Sequence, residues 1–389
     1  MRSRFSSFAF AAAFFLTLLL PLYGKLPDRA LPLGGVTAGV TPVERSVKTL
    51  WSGDWQSYAG RRYGEIFPGR NLLVKLRNQF YVSVLRESPN ENVLLGKKGY
   101  LYEPGTVCFY LQTFRPESEE YFEGIGEKLS ELKQLTERNG KELYVFLTPA
   151  KVDFLEETIP DRYMAFDSRA YWDYTNREAL LETLEKAGIP CFDSVQYLEE
   201  SRGKEQLQAP FFYASGMHWS RPWGSYCAKG FLEFMRERSR YDFSRVTLVE
   251  EKSDTPVFPD TDLYDSLNLL VPAKDDWYTA RLEVSEEGRD HPNVFFRGGS
   301  FLGQSTAELI RAGVFGEDVH LENNNLFRNR FTQITGYASY TAYDEMPLGE
   351  MLPSSDILVL EINESSIHVM GFGFIEYLLE HPELMEGQS

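Results

Sequence analysis

The sequence predicts an α/β domain whose mostly parallel sheet is covered by helices on both faces. Two observations carry this. Short apolar runs, Leu143–Leu147, Ile189–Phe192, Val294–Arg297 and Ile357–Glu361, recur along the chain. Between them lie longer stretches with helical spacing, and strands that are apolar on both sides belong to buried parallel sheets.

The chain opens differently. Arg2 and Arg4 precede an uncharged stretch from Phe5 to Tyr23. A basic flank before such a run reads as a secretory signal or an uncleaved membrane anchor over residues 1–24, with its basic end cytoplasmic. The remainder is then expected outside the cytoplasm, periplasmic or extracellular. Residues 25–90 read as a juxtamembrane linker and an amphipathic helix; Leu72, Leu73, Leu76 and Phe80 give its apolar face, ending near Arg86.

Residues 91–389 form the main domain. Gly96-Lys-Lys-Gly-Tyr-Leu-Tyr102 predicts a hairpin. Ser118 opens a helix with Ile125, Leu129, Leu132 and Leu135 on one face, and Asn139-Gly140 closes it. A second helix is expected over 168–187. A third follows Ser220, which is placed to cap it, with Pro222 near its start and Trp223, Cys227, Phe231 and Phe234 inward. Residues 236–290 are acidic and weakly patterned, and read as an insertion. Ser305–Ala312 suggests a helix after the Val294 strand.

Composition excludes some functions. The formal net charge of −17 and the lack of a dense Lys/Arg run argue against nucleic acid as a partner. The 14% aromatic content suits either a thick core or a carbohydrate-facing surface. Cys108, Cys191 and Cys227 are an odd set without close spacing and read as free thiols. His291, His320, His368 and His381 make no site with one another, so no metal is expected, and no cofactor.

Two stretches can carry chemistry. Phe295-Phe-Arg-Gly-Gly-Ser-Phe301 is a strand that breaks at two glycines and presents Ser300 at the turn. In open α/β sheets ligands bind beyond the strands' carboxyl ends. Gly298 and Gly299 would let the chain turn sharply, and the Gly299 and Ser300 N–H groups would face an oxyanion. Ser215-Gly-Met-His-Trp-Ser220 supplies His218 just ahead of a helix, whose positive end keeps the imidazole a neutral base and calls for an anion beside it. A hydroxyl and an imidazole are the nucleophile and base of acyl transfer. An ordinary capped turn and a histidine satisfied by carbonyls are the competing readings.

Gly96–Tyr102, Thr148-Pro-Ala-Lys151 with Pro160 downstream, Met217-His-Trp-Ser220, Gly299-Ser-Phe301 and Asp356–Glu364 together resemble the alginate O-acetyltransferase family of the AlgX and AlgJ type. These are cell-envelope members of the SGNH-hydrolase superfamily. The resemblance covers most of residues 90–380. It implies a three-layer α/β/α domain, Ser300 and His218 as catalytic pair, a polysaccharide acceptor, and a membrane-bound O-acyltransferase as acetyl donor. In that family an aspartate two residues before the histidine completes the triad; here that position is Gly216. Three explanations stay open: a carboxylate from elsewhere (Asp193, Asp260 or Asp262), a Ser–His dyad, or a dead site.

Further polar residues could meet a substrate. Trp219 adjoins the histidine. Asn323, Asn324 and Asn325 could offer an amide or simply make a turn. Glu361 and Glu364 end a strand and could enter the crevice or cap. Lys151 reads by default as a salt-bridge partner. The expected activity is polysaccharide O-acetyl transfer; a polysaccharide deacetylase and a non-catalytic glycan-binding subunit are the alternatives.

Overall fold

The computed structural model describes residues 31–34, 41–67, 69–204, 207–325, 330–333 and 339–386. The expected anchor at 1–24 lies outside them. Among the described residues no helix is long and apolar enough to cross a membrane. The chain divides into two compact units, Met1–Leu95 with Leu263–Ala273, and Gly96–Asp262 with Lys274–Ser389.

In the first unit the helix expected from Leu72, Leu73, Leu76 and Phe80 runs over Arg70–Phe80 and continues through a wider turn, Tyr81–Leu85. It stops at Arg86, which takes a left-handed conformation with φ of 58°.

The second unit is built on a seven-stranded sheet. Its strands are β1 (Glu142–Thr148), β2 (Cys191–Asp193), β3 (Val294–Gly298), β4 (His320–Asn325), β5 (Arg330–Gln333), β6 (Ser339–Tyr340) and β7 (Ile357–Asn363). Their spatial order is β6-β5-β4-β3-β7-β1-β2. From β4 to β2 every pairing is parallel; β5 and β6 add an antiparallel edge. This is the α/β fold with a mostly parallel central sheet that the sequence predicts.

The longer helices are α1 (Pro104–Tyr110), α2 (Glu119–Arg138), α3 (Asn176–Lys186), α4 (Ser194–Ser201), α5 (Arg221–Arg236), α6 (Leu302–Arg311), α7 (Leu348–Ser354) and α8 (Phe374–Glu380). Alternation along β1 decides the layering. Tyr144 and Phe146 join one core with Val195, Phe231 and Leu309 from α4, α5 and α6. Leu143, Val145 and Leu147 join the other with Leu129, Leu180 and Phe374 from α2, α3 and α8. Both faces are thus covered. Phe146 stacks on Phe231 at 4.6 Å between ring centroids. Truncating a buried aromatic of this kind costs about 3–5 kcal/mol.

Local signals explain most element ends. The Ser118 hydroxyl accepts from Tyr121 N–H at the start of α2. The helix expected from 168 begins only at Asn176, because Thr175 and Glu178 form a capping box there. Ser220 stands at the α5 start but does not cap it; its hydroxyl donates to the Pro210 carbonyl at 2.7 Å. In the turn of the expected hairpin, Gly96 N–H donates to Tyr100 at 2.7 Å. The stretch read as a weakly patterned insertion contains a long antiparallel ribbon, Arg245–Ser253 with Trp277–Glu286. Asn323, Asn324 and Asn325 form no turn: they belong to β4, paired with β5, and Asn323 also with Gly298 of β3.

Candidate active site

Ser300 follows β3 at the carboxyl end of the sheet and precedes α6. His218 stands ahead of α5, after a stretch in which Phe212 bridges to Trp219. The two meet: His218 Nε2 lies 2.7 Å from Ser300 Oγ. On the far side of the ring, Nδ1 lies 2.7 Å from Asp262 Oδ2. A carboxylate can only accept, so Nδ1 carries the proton, and the Nε2 lone pair is left to receive the Ser300 hydroxyl. Phe301 packs on the imidazole at 4.7 Å between centroids, and His218 is 8% exposed.

Of the three candidate orienting acids, the structure brings only Asp262 to the histidine. Its other oxygen, Oδ1, accepts the Met217 N–H at 2.8 Å, so one carboxylate holds both the ring and the backbone beside it. Asp193 is elsewhere: it caps α4 through Val195 and Gln196 and pairs with Arg177. Asp260 offers its carbonyl to the Ser215 hydroxyl at 2.9 Å, while its carboxyl accepts from Val257. Burial pushes that carboxyl up to about 7.

Lys151 makes no salt bridge among the described residues. Its ammonium is buried and lies within 3.1 Å of four backbone carbonyls: Gly216 at 2.7 Å, Tyr213 at 2.8 Å, Leu101 at 3.0 Å and Ala214 at 3.1 Å. The Tyr100 and Tyr102 rings flank it at 5.1 and 5.2 Å. Three N–H donors facing four oxygens act as an internal cation that gathers the loop before His218. Burial lowers its pKa to about 7, and the charge of Asp262 acts in the opposite direction.

Glu361 does not enter the crevice. It is 1% exposed; Oε2 accepts the Gly299 N–H at 2.6 Å and Oε1 accepts the Thr148 hydroxyl at 2.5 Å. This corrects the expected oxyanion hole. The Gly299 N–H is already spent on a carboxylate, and of the two expected backbone donors only that of Ser300 is left. The glycines also have a different reason. Neither has positive φ; a β-carbon at 298 would fall 2.6 Å from the Glu361 β-carbon, so close approach rather than a special turn requires glycine there. Burial pushes the Glu361 carboxyl up to about 7.

Trp219 is likewise not a substrate contact. At 1% exposure it sits in the core against Phe146 and Phe301. Sequence reading missed Glu103, just before α1, which lines a narrow crevice with Met217 and Phe301. Its pKa is raised to about 7 by burial, against the effect of His218. No motif marks it. Among the described residues no group of His, Cys, Asp and Glu could hold a metal ion.

A mostly parallel sheet with a Ser–His–Asp hydrogen-bonded chain beyond its strand ends is an SGNH-like arrangement. Residues 93–244 match the family model described as SGNH hydrolase-like domain, acetyltransferase AlgX. That stretch, which holds Lys151, Gly216 and His218, is similar to the family the motifs resemble. Solved structures of similar shape include the O-acetyltransferase domain of Pseudomonas putida AlgJ, at 14% identity over 75% of this chain and 100% of that one, with a TM-score of 0.42. Pseudomonas aeruginosa AlgX follows at 16% identity over 73% of this chain and 66% of its own, with a TM-score of 0.42. Bacillus cereus PatB1 is 10% identical over 72% of this chain and 97% of its own, with a TM-score of 0.44. A search of curated proteins found no match.

Proposed function

We propose that this protein transfers acetyl groups to hydroxyls of a cell-surface or secreted polysaccharide through an acyl-enzyme on Ser300. The observation that carries the reading is the continuous chain Asp262–His218–Ser300, with 2.7 Å at each link. The AlgX-type match over 93–244 supports acetyl transfer as the reaction class.

His218 Nε2 takes the Ser300 proton as Oγ attacks the acetyl carbonyl of the donor. The Ser300 N–H stabilises the tetrahedral oxyanion. Collapse expels the donor's oxygen, which leaves with the proton from Nε2. A sugar hydroxyl then gives its proton to Nε2 and attacks the acetyl-serine; the ester forms on the sugar and the proton returns to Ser300 Oγ. Asp262 keeps the ring's tautomer and offsets the transient imidazolium.

Residues 1–24 would anchor the chain with its catalytic unit outside the cytoplasm, and a membrane-bound O-acyltransferase would supply the acetyl group. A deacetylase would use the same serine and pass the acetyl group to water. The non-catalytic reading rested on Gly216 in place of an aspartate, and Asp262 on the imidazole removes that ground. Ser300→Ala tests the proposal: with 4-nitrophenyl acetate the variant should lose the wild-type rate of acetyl release. Release as fast as wild type would remove Ser300 from the reaction.

A further inference from the structure

A cavity of about 230 Å³ is lined by residues of α1, the loop after β1 and the turn after β7. It shares Thr106, Ala150 and Ser365 with the crevice in front of Met217 and Phe301. Met217 and Phe301 adjoin His218 and Ser300 in the chain, so the crevice leads from the cavity toward that pair. The volume is below the several hundred Å³ of pockets for drug-sized ligands, and suits a single ring.

The lining has two unequal sides. One is aromatic. Phe114 is 49% exposed, and its ring is set edge-on against Phe109 at 5.1 Å. The other side is ionic but closed on itself. Arg169 is held by Glu156 at 2.9 Å and Asp167 at 2.6 Å, and Arg177 by Asp193. Asp153 accepts the Ala150 N–H at 2.9 Å. Glu364 Oε2 is buried and has no hydrogen-bond partner among the described residues. A buried acceptor left unpaired is costly, and a ligand hydroxyl would satisfy it.

We propose that this cavity is the acceptor subsite and that it takes an uncharged hexose unit, its ring laid against Phe114 and one hydroxyl donating to Glu364. The inference deepens the acetyl-transfer reading and rests on it. The chemistry selects against a uronate: each arginine on the wall already has its carboxylate, and Lys151 is spent on backbone carbonyls. An acidic sugar would bring another negative charge to a wall whose arginines are already paired with carboxylates. A neutral ring needs only an apolar face and an acceptor, and both are present.

Calorimetry on the full chain carrying Ser300→Ala tests binding apart from turnover. The probes are cellotetraose, mannotetraose and chitotetraose as uncharged glycans and tetragalacturonate as the anionic one. At least one uncharged probe should bind, Phe114→Ala should weaken it about tenfold, and tetragalacturonate should not compete. Phe114 is exposed, so its truncation leaves the fold intact. Binding by none of the uncharged probes, equal binding of tetragalacturonate, or no effect of Phe114→Ala would overturn the proposal. Fluorophosphonate labelling of the wild-type chain is read separately: an unlabelled Ser300 would sink acetyl transfer while leaving the binding result to stand or fall by itself.

Discussion

Gly216 and Asp260 approach so closely that a β-carbon at 216 would lie 2.6 Å from the Asp260 carbonyl oxygen. The loop that delivers Asp262 to His218 thus occupies the space a side chain at 216 would need. The acid comes from a separate segment, and glycine at 216 leaves room for it. Asp262→Asn should lower kcat/KM on an aryl acetate by about 10⁴-fold, as loss of the orienting acid does in other triads. Adding Gly216→Asp should not restore it, because the new side chain displaces the 259–262 loop instead of replacing its carboxylate.

Lys151 should behave as a positioning residue. Lys151→Ala leaves a cavity ringed by four carbonyls and two tyrosines, and the loop carrying His218 loses its clamp. Displacing a catalytic group by about 1 Å can cost roughly 10²-fold, and a fall of that order in kcat is expected. Ethylammonium chloride should restore part of it in the alanine variant and none in Lys151→Met, whose side chain fills the space without charge. Steady-state rates with and without the amine check this.

Glu361 makes stability depend on pH. Its folded-state pKa stands near 7 against an ordinary 4.5, chiefly through burial. Between these values the folded chain holds a proton that the unfolded chain has released, so stability falls as pH rises through that window. At 1.36 kcal/mol per unit the effect is on the order of 3 kcal/mol at most. Glu361→Gln cannot titrate. Its Tm should match wild type near pH 4.5 and exceed it increasingly up to pH 8, as differential scanning calorimetry would show.

Much of this was legible in the chain because local rules wrote it. Apolar runs on both strand faces gave the parallel sheet, Ser118 gave the start of α2 as its cap, and Pro222 marked the start of α5. The serine after Gly298-Gly299 and the histidine ahead of α5 could be singled out by their places at strand and helix ends. What could not be read was decided by contacts between distant segments. Asp262 was one of three carboxylates with equal claims until the fold set it against the imidazole. The ribbon Arg245–Ser253 with Trp277–Glu286 was overlooked although Ala280, Leu282 and Val284 alternate with polar residues, because the acidic content of the surrounding stretch masked that short signal. Glu361 seemed free to meet a substrate, yet it is buried against the Gly299 amide; no spacing along the sequence records that pairing.

The reading stands most directly on whether Ser300 becomes acetylated. Intact-mass and peptide spectrometry of the wild-type chain quenched during turnover of an aryl acetate should find one acetyl group on the peptide containing Ser300, and none in His218→Ala. Rapid turnover with that peptide unmodified throughout, or acetyl on another residue that persists in Ser300→Ala, would contradict it.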